Sequence, residues 1–267
     1  MKRKVRRGVY ILPSILTIGN LFCGFYAIIA IYNIEYSKAA LAIIIALMVD
    51  FLDGAVARIA KATSDFGVEL DSLADLVSFG VAPGMLAYVF AMQPLGRIGW
   101  LAAFLFAACG ALRLARFNIQ TKQTKKLDKR YFVGLPIPAA AGIIASCVLF
   151  LGESPSLEIL EYQVLSPEVT SALMVVLVAV IAFLMVSKVR YRSLKEFDIS
   201  RRHPFTILFS LLLAMLIVAS KPSLLLFGFF FLYALSGFLR YLPFVRRRVS
   251  LDLGEELELT PGEPRSL

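Results

Sequence analysis

Histidine is almost missing from this chain of 267 residues: there is one, His203, alongside three cysteines and one tryptophan. His203 sits in the loop before Pro204 and reads as a helix-terminus residue, so imidazole acid–base chemistry has no obvious carrier. Cys23, Cys109 and Cys147 are odd in number, unpaired in spacing and set in apolar segments. That excludes a disulfide framework and a thiolate metal site, and leaves three reduced packing residues. No serine or cysteine nucleophile with an activating base is apparent. Internal repeats are missing too, and there is no soluble basic domain to carry nucleic acid.

What the chain has in excess is apolar surface. It is 59% hydrophobic with a mean hydropathy of +0.77, where a soluble domain would be nearer half apolar. The apolar residues fall into eight runs, near residues 11–32, 39–60, 71–92, 98–117, 134–151, 170–188, 204–220 and 222–243. Each has about the length needed to cross a bilayer as a helix. The expectation is an all-α polytopic membrane protein with about eight transmembrane helices. Its basic start resembles a signal sequence, but the apolar stretch is too long and lacks a small-residue cleavage site, so it reads as a retained first span.

Charge supports this layout. With the N-terminus assigned to the cytosol, 25 of the 28 Lys and Arg lie on the cytosolic side; only Lys38, Arg97 and Lys221 lie opposite. The loop 153–168 has four glutamates and no Lys or Arg, as an outer loop should. Both termini are then cytosolic, with a basic segment at residues 1–10 and an acidic tail at 249–267. The net charge of +9 follows from topology, and the basic face also attracts anionic lipid head groups.

Against this background, Asp50, Asp53, Asp71 and Asp75 are conspicuous. An aspartate at helix-centre depth in a bilayer costs roughly 2.5–3.5 kcal/mol. Here four fall within D-x-x-D-G-x-x-A-R-x8-G-x-x-x-D-x-x-x-D, whose fixed letters are Asp50, Asp53, Gly54, Ala57, Arg58, Gly67, Asp71 and Asp75. Asp50, Asp53, Gly54 and Ala57 share one face of the second helix. Gly67, Asp71 and Asp75 recur every fourth residue in the third, with Ser78 continuing the stripe. Thr63, Ser64 and Asp65 form the polar turn between them, with helix-start character.

Four crowded carboxylates repel one another; two divalent cations resolve this. All-oxygen donors select Mg²⁺, Mn²⁺ or Ca²⁺ over zinc and copper. Two such ions about 3.5–4 Å apart suit displacement at phosphorus. One aspartate is then left as the base, and the planar fork of Arg58 suits phosphate oxygens. A buried ion-pair network with Arg58, Lys61, Arg113 or Arg116 is the structural alternative. A divalent-cation transporter is the alternative of a different class, although it would need carboxylates near mid-membrane and access from both sides.

The fixed letters resemble the signature of the CDP-alcohol phosphatidyltransferase family. The resemblance implies a six-helix family core over residues 11–190, two additional C-terminal helices over 191–248, and a membrane homodimer. It implies that Asp50, Asp53 and Asp71 bind metal, that Asp75 shares metal or acts as the base, and that Gly54, Ala57, Arg58 and Gly67 line the CDP site. Members often carry Pro-Asn-x-x-Thr in the first span. This chain reads Pro13, Ser14 and Thr17, so the Asn is replaced and Thr17 alone carries over to the nucleotide.

Three further stretches, Arg113–Asn118 (RLARFN), Phe132–Pro138 (FVGLPIP) and Met185–Ser193 (MVSKVRYRS), resemble the phosphatidylserine synthase branch. Arg113 and Arg116 could hold an acceptor carboxylate or a lipid phosphate, and Asn118 an amine. The implied reaction takes CDP-diacylglycerol and L-serine to phosphatidylserine and CMP, with two Mg²⁺ or Mn²⁺ ions and direct attack by the serine hydroxyl. Glycerol 3-phosphate, inositol or an archaeal-type lipid are the alternative substrates for the same chemistry.

Overall fold

The computed structural model describes residues 11–60, 64–123, 131–152, 154–155, 157–159, 162–187, 189–192 and 222–241. His203, the expected span 204–220, both charged termini and Lys61 and Thr63 lie outside these residues.

Seven helices run through the described residues. They are α1 (Ile11–Tyr32), α2 (Tyr36–Ala60), α3 (residues 65–95), α4 (Arg97–Gln123), α5 (Ile137–Leu151), α6 (Pro167–Val186) and α7 (Pro222–Tyr241). The seven expected spans that fall on described residues match observed helices to within a few residues, except that α3 begins well before residue 71 and α4 runs on from 117 to Gln123. Its start is fixed locally: Ser64 caps the helix and its Oγ accepts from the Gly67 N–H at 3.0 Å. The polar turn therefore belongs to the helix it introduces.

Stops and starts elsewhere follow residue chemistry. Gly96, at φ +54°, separates α3 from α4. Pro138 and Pro167 stand in the first turns of α5 and α6, where a missing N–H costs nothing, and Ser166 caps α6 through the Val169 N–H. The sequence reading missed two short antiparallel ribbons. In one, β1 (Tyr131–Val133) pairs with β4 (Arg190–Arg192); in the other, β2 (Leu157–Ile159) pairs with β3 (Tyr162–Leu165).

The core is made largely of small and aliphatic side chains from α1 to α6. Large apolar side chains such as Phe22, Met48, Phe51, Phe104 and Phe183 face outward, the distribution expected where lipid replaces water as solvent. Among the described residues, four helical stretches are long and apolar enough to cross a membrane: Ser14–Tyr32, Phe66–Leu95, Arg97–Gln120 and Pro167–Val186. The protein is a polytopic, predominantly helical membrane protein. Its three cysteines are unbonded, as expected.

Helix α1 packs extensively on α2 and also against the first half of α3. The second contact is unusually close. A Cβ on Gly24 would come within 2.8 Å of Ser78 atoms, reaching 2.6 Å from the Ser78 backbone Cα. Ser78 lies in a π-helical stretch of α3, Leu76–Val81, directly after Asp75; wide turns of this kind recur at functional sites. Gly24→Ala must therefore push α1 and α3 apart. The expected cost is about 1–3 kcal/mol, read as a lower thermal-unfolding midpoint of the detergent-solubilised protein.

Candidate metal and phosphoryl-transfer site

The carboxylates of Asp50, Asp71 and Asp75 converge, each offering an oxygen within 4.8 Å of the others. Asp50 comes from the last part of α2. Asp71 and Asp75 come from consecutive turns of α3, as their four-residue spacing requires. Asp53, on the next turn of α2, is buried and has its own support: the Thr17 hydroxyl of α1 donates to Oδ2 at 2.5 Å. Its other oxygen, Oδ1, is buried without a hydrogen-bond partner.

An unsatisfied buried acceptor costs about 1–3 kcal/mol, and more when charged. Asp53, expected as a fourth member, is not among the converging carboxylates; Asp50, Asp71 and Asp75 form an all-oxygen, anionic donor set. It fits hard divalent cations such as Mg²⁺ or Mn²⁺.

Asn20, which the sequence reading passed over, and Ser78, which it placed on the aspartate stripe, complete the surroundings. The Asn20 amide nitrogen donates to Asp75 Oδ1 at 3.0 Å, and the Ser78 hydroxyl donates to the Asn20 backbone carbonyl at 2.9 Å. Asn20 is 1% exposed, and its side-chain Oδ1 has no partner. The signal was present: Thr17, Asn20 and Gly24 form one stripe on α1, polar or small within an apolar span. Read alone, the stripe gives no hint that it faces the aspartates.

The three stretches assigned to one family branch meet in space. Within Phe132–Pro138, the Gly134 N–H donates to Val189 O at 2.8 Å and the Leu135 N–H to Leu184 O at 3.0 Å, beside the β1–β4 ribbon. Gly134 has φ +82°, and a Cβ there would clash with the Met185 carbonyl oxygen, so only glycine fits. From Arg113–Asn118, the Arg116 guanidinium donates to Val186 O at 2.9 Å and the Asn118 amide to Ser72 Oγ at 2.9 Å. Asn118 thus joins α4 to the aspartate-bearing part of α3.

Arg113 is the residue of this group that faces the acidic cluster. It is within electrostatic reach of Asp75 and of Tyr233 from α7, and its Nε is buried without a hydrogen-bond partner. Helix α7, for which the sequence suggested no role, therefore reaches the neighbourhood of the site. Gly54 and Gly67 flank the cluster and are half-buried. Ala57 and Arg58 continue α2, but their side chains lie outside the described residues.

Comparison with known proteins agrees with this geometry. The sequence profile of the CDP-alcohol phosphatidyltransferase family matches residues 10–183, which include every aspartate of the cluster. The chain belongs to the CDP-alcohol phosphatidyltransferase family. Among its relatives, the CDP-diacylglycerol–serine O-phosphatidyltransferase of Helicobacter pylori (strain ATCC 700392 / 26695) is 36% identical over 235 residues, spanning 88% of this chain and 92% of the relative. Proteins with the same name from Bacillus subtilis and Saccharomyces cerevisiae are 46% identical over 129 residues and 39% over 147. These alignments cover 48% and 50% of this chain and 70% and 52% of the relatives.

The Thr17–Asp53 bond separates two roles for Thr17. If the hydroxyl orients Asp53, Thr17→Val weakens Mn²⁺ binding by about 10–100-fold, measured by calorimetry or electron paramagnetic resonance without nucleotide. Unchanged ion binding with reduced CDP affinity would instead assign Thr17 to the nucleotide.

Proposed function

We propose that this protein transfers a phosphatidyl group from CDP-diacylglycerol to L-serine, giving phosphatidylserine and CMP. The observation that carries this reading is the convergence of Asp50, Asp71 and Asp75 inside the family-matched region. Serine as acceptor is supported by the name of the relative that aligns over 88% of the chain. The meeting of the Phe132–Pro138 and Met185–Ser193 stretches beside Arg116 adds to that support.

Asp50, Asp53, Asp71 and Asp75 would hold two Mg²⁺ or Mn²⁺ ions. Bound there, these ions polarise the phosphoryl oxygens and neutralise charge on the departing CMP. Asp75 accepts the proton of the serine hydroxyl. The serine oxygen forms a new bond to the phosphorus bearing the diacylglycerol, and the bond from that phosphorus to the CMP oxygen breaks, its electron pair leaving with CMP. Asp75 suits the base role because one of its oxygens is held by Asn20, which fixes the direction of the other. General-base assistance of this kind is typically worth about 10²–10⁴-fold.

Gly54, Ala57 and Gly67 lack bulk and leave room for the cytidine nucleotide; Arg58 pairs with its phosphates. Arg113 is the strongest candidate for the serine carboxylate or the lipid phosphate, since it lies within electrostatic reach of Asp75 and its buried Nε has no hydrogen-bond partner. Arg116 and Asn118 are engaged by Val186 and Ser72, and their part is to hold the acceptor side in shape.

The enzyme works as a homodimer in the cytoplasmic membrane with the site and both termini cytosolic, a sidedness supported by the 25 to 3 split of Lys and Arg. Lipid tails remain in the bilayer while serine and CMP exchange with the cytosol.

Purified protein given CDP-diacylglycerol and Mn²⁺ should release CMP with L-serine but not with glycerol 3-phosphate or inositol. EDTA should stop the release and added Mn²⁺ restore it. Serine-independent metal flux in liposomes, without CMP release, would instead favour a transporter. Asp75→Asn should lower turnover by at least about 10²-fold while CDP-diacylglycerol binding persists; near-normal turnover would remove Asp75 from the base role.

A further inference from the structure

We infer that Asn20 is the positioning residue for Asp75: it sets which carboxylate oxygen is free for the ion and the attacking hydroxyl. This rests on the function proposed above and adds to it a residue of α1 outside the aspartate motif.

The argument begins with donor chemistry. An ionised carboxylate only accepts hydrogen bonds, so the Asn20 side chain must turn its amide nitrogen towards Asp75. The 3.0 Å contact does this and occupies Oδ1 of Asp75. The other oxygen of Asp75 then remains for the cluster with Asp50 and Asp71. The backbone from which that side chain projects is itself held on α3, because the Ser78 hydroxyl donates to the Asn20 carbonyl at 2.9 Å. Ser78 lies three residues beyond Asp75, so α1 is tied to α3 at the carboxylate and again about one turn beyond it. Gly24, one turn further along α1, permits the close approach that both bonds need.

Packing alone does not explain an asparagine here. The residue is 1% exposed and leaves its own Oδ1 without a partner. A leucine of similar size would fill the same space at no polar cost. The amide is retained where its donor is useful, and that donor reaches the one aspartate assigned as base. A ligand's immediate neighbour of this kind typically controls metal affinity or activity by about 10–100-fold.

The test compares full-length wild type with Asn20→Leu in detergent, using two readouts. The first is Mn²⁺ alone, titrated without substrate. Asn20→Leu should bind it at least about tenfold more weakly. The second is serine-dependent CMP release: kcat should fall by about 10–100-fold, while KM for CDP-diacylglycerol changes by less than about threefold. Rising KM at constant kcat, or wild-type Mn²⁺ binding together with wild-type kcat, would overturn the inference. Should Asn20→Leu fail to fold, Asn20→Ser carries the same expectation, because its hydroxyl is too short to span the gap while the site stays polar. If wild type released no CMP with serine, the proposed reaction would fail, but the Mn²⁺ comparison would still decide the role of Asn20.

Discussion

Repulsion among carboxylates in a low-dielectric bundle is the constraint around which this protein is built. Asp50, Asp71 and Asp75 bring oxygens within 4.8 Å of one another, among helices whose outer faces carry large apolar side chains. Like charges so placed raise each other's energy unless a positive group sits between them or some take up protons. The oxygen-only donors of the cluster suit a divalent cation, which would supply that charge. Storage of an unfavourable arrangement and readiness for a charged substrate are thus two descriptions of one site.

The surrounding fold holds that arrangement in place. Helix α1 contributes no aspartate, yet Thr17 bonds to Asp53, and Asn20 bonds to Asp75. The near contact at Gly24 and the wide turn at Leu76–Val81 bring these groups within reach. On the other side, the β1–β4 ribbon, Arg116 and Asn118 tie α4, α6 and α3 together. Helix α7 adds Tyr233 near Arg113. The family profile ends at residue 183, but the alignment with the Helicobacter pylori relative spans 88% of the chain and so reaches α7.

Much of this was legible beforehand for specific reasons. Bilayer thickness fixes helix length, so apolar runs locate the helices to within a few residues. A four-residue repeat puts Asp71 and Asp75 on one face whatever the tertiary context. The turn at Ser64 was readable because capping is local chemistry. The ribbons were not readable, since three-residue strands carry too little periodicity and β1 pairs with residues about 60 positions away. Asn20 was overlooked because one amide in an apolar helix identifies no partner.

From its residues alone, this chain determined that it enters a membrane, where its helices run, and that hard oxygen donors come from neighbouring helices. Those properties depend on composition and on spacing within one helix, where geometry is set by the backbone. Only the tertiary structure decided which three carboxylates converge, that Thr17 bonds to Asp53, that Asn20 bonds to Asp75, and that α7 reaches Arg113. These depend on the angle and approach of helices distant in sequence, and such approaches are set by small residues and wide turns whose effect appears only when the helices pack.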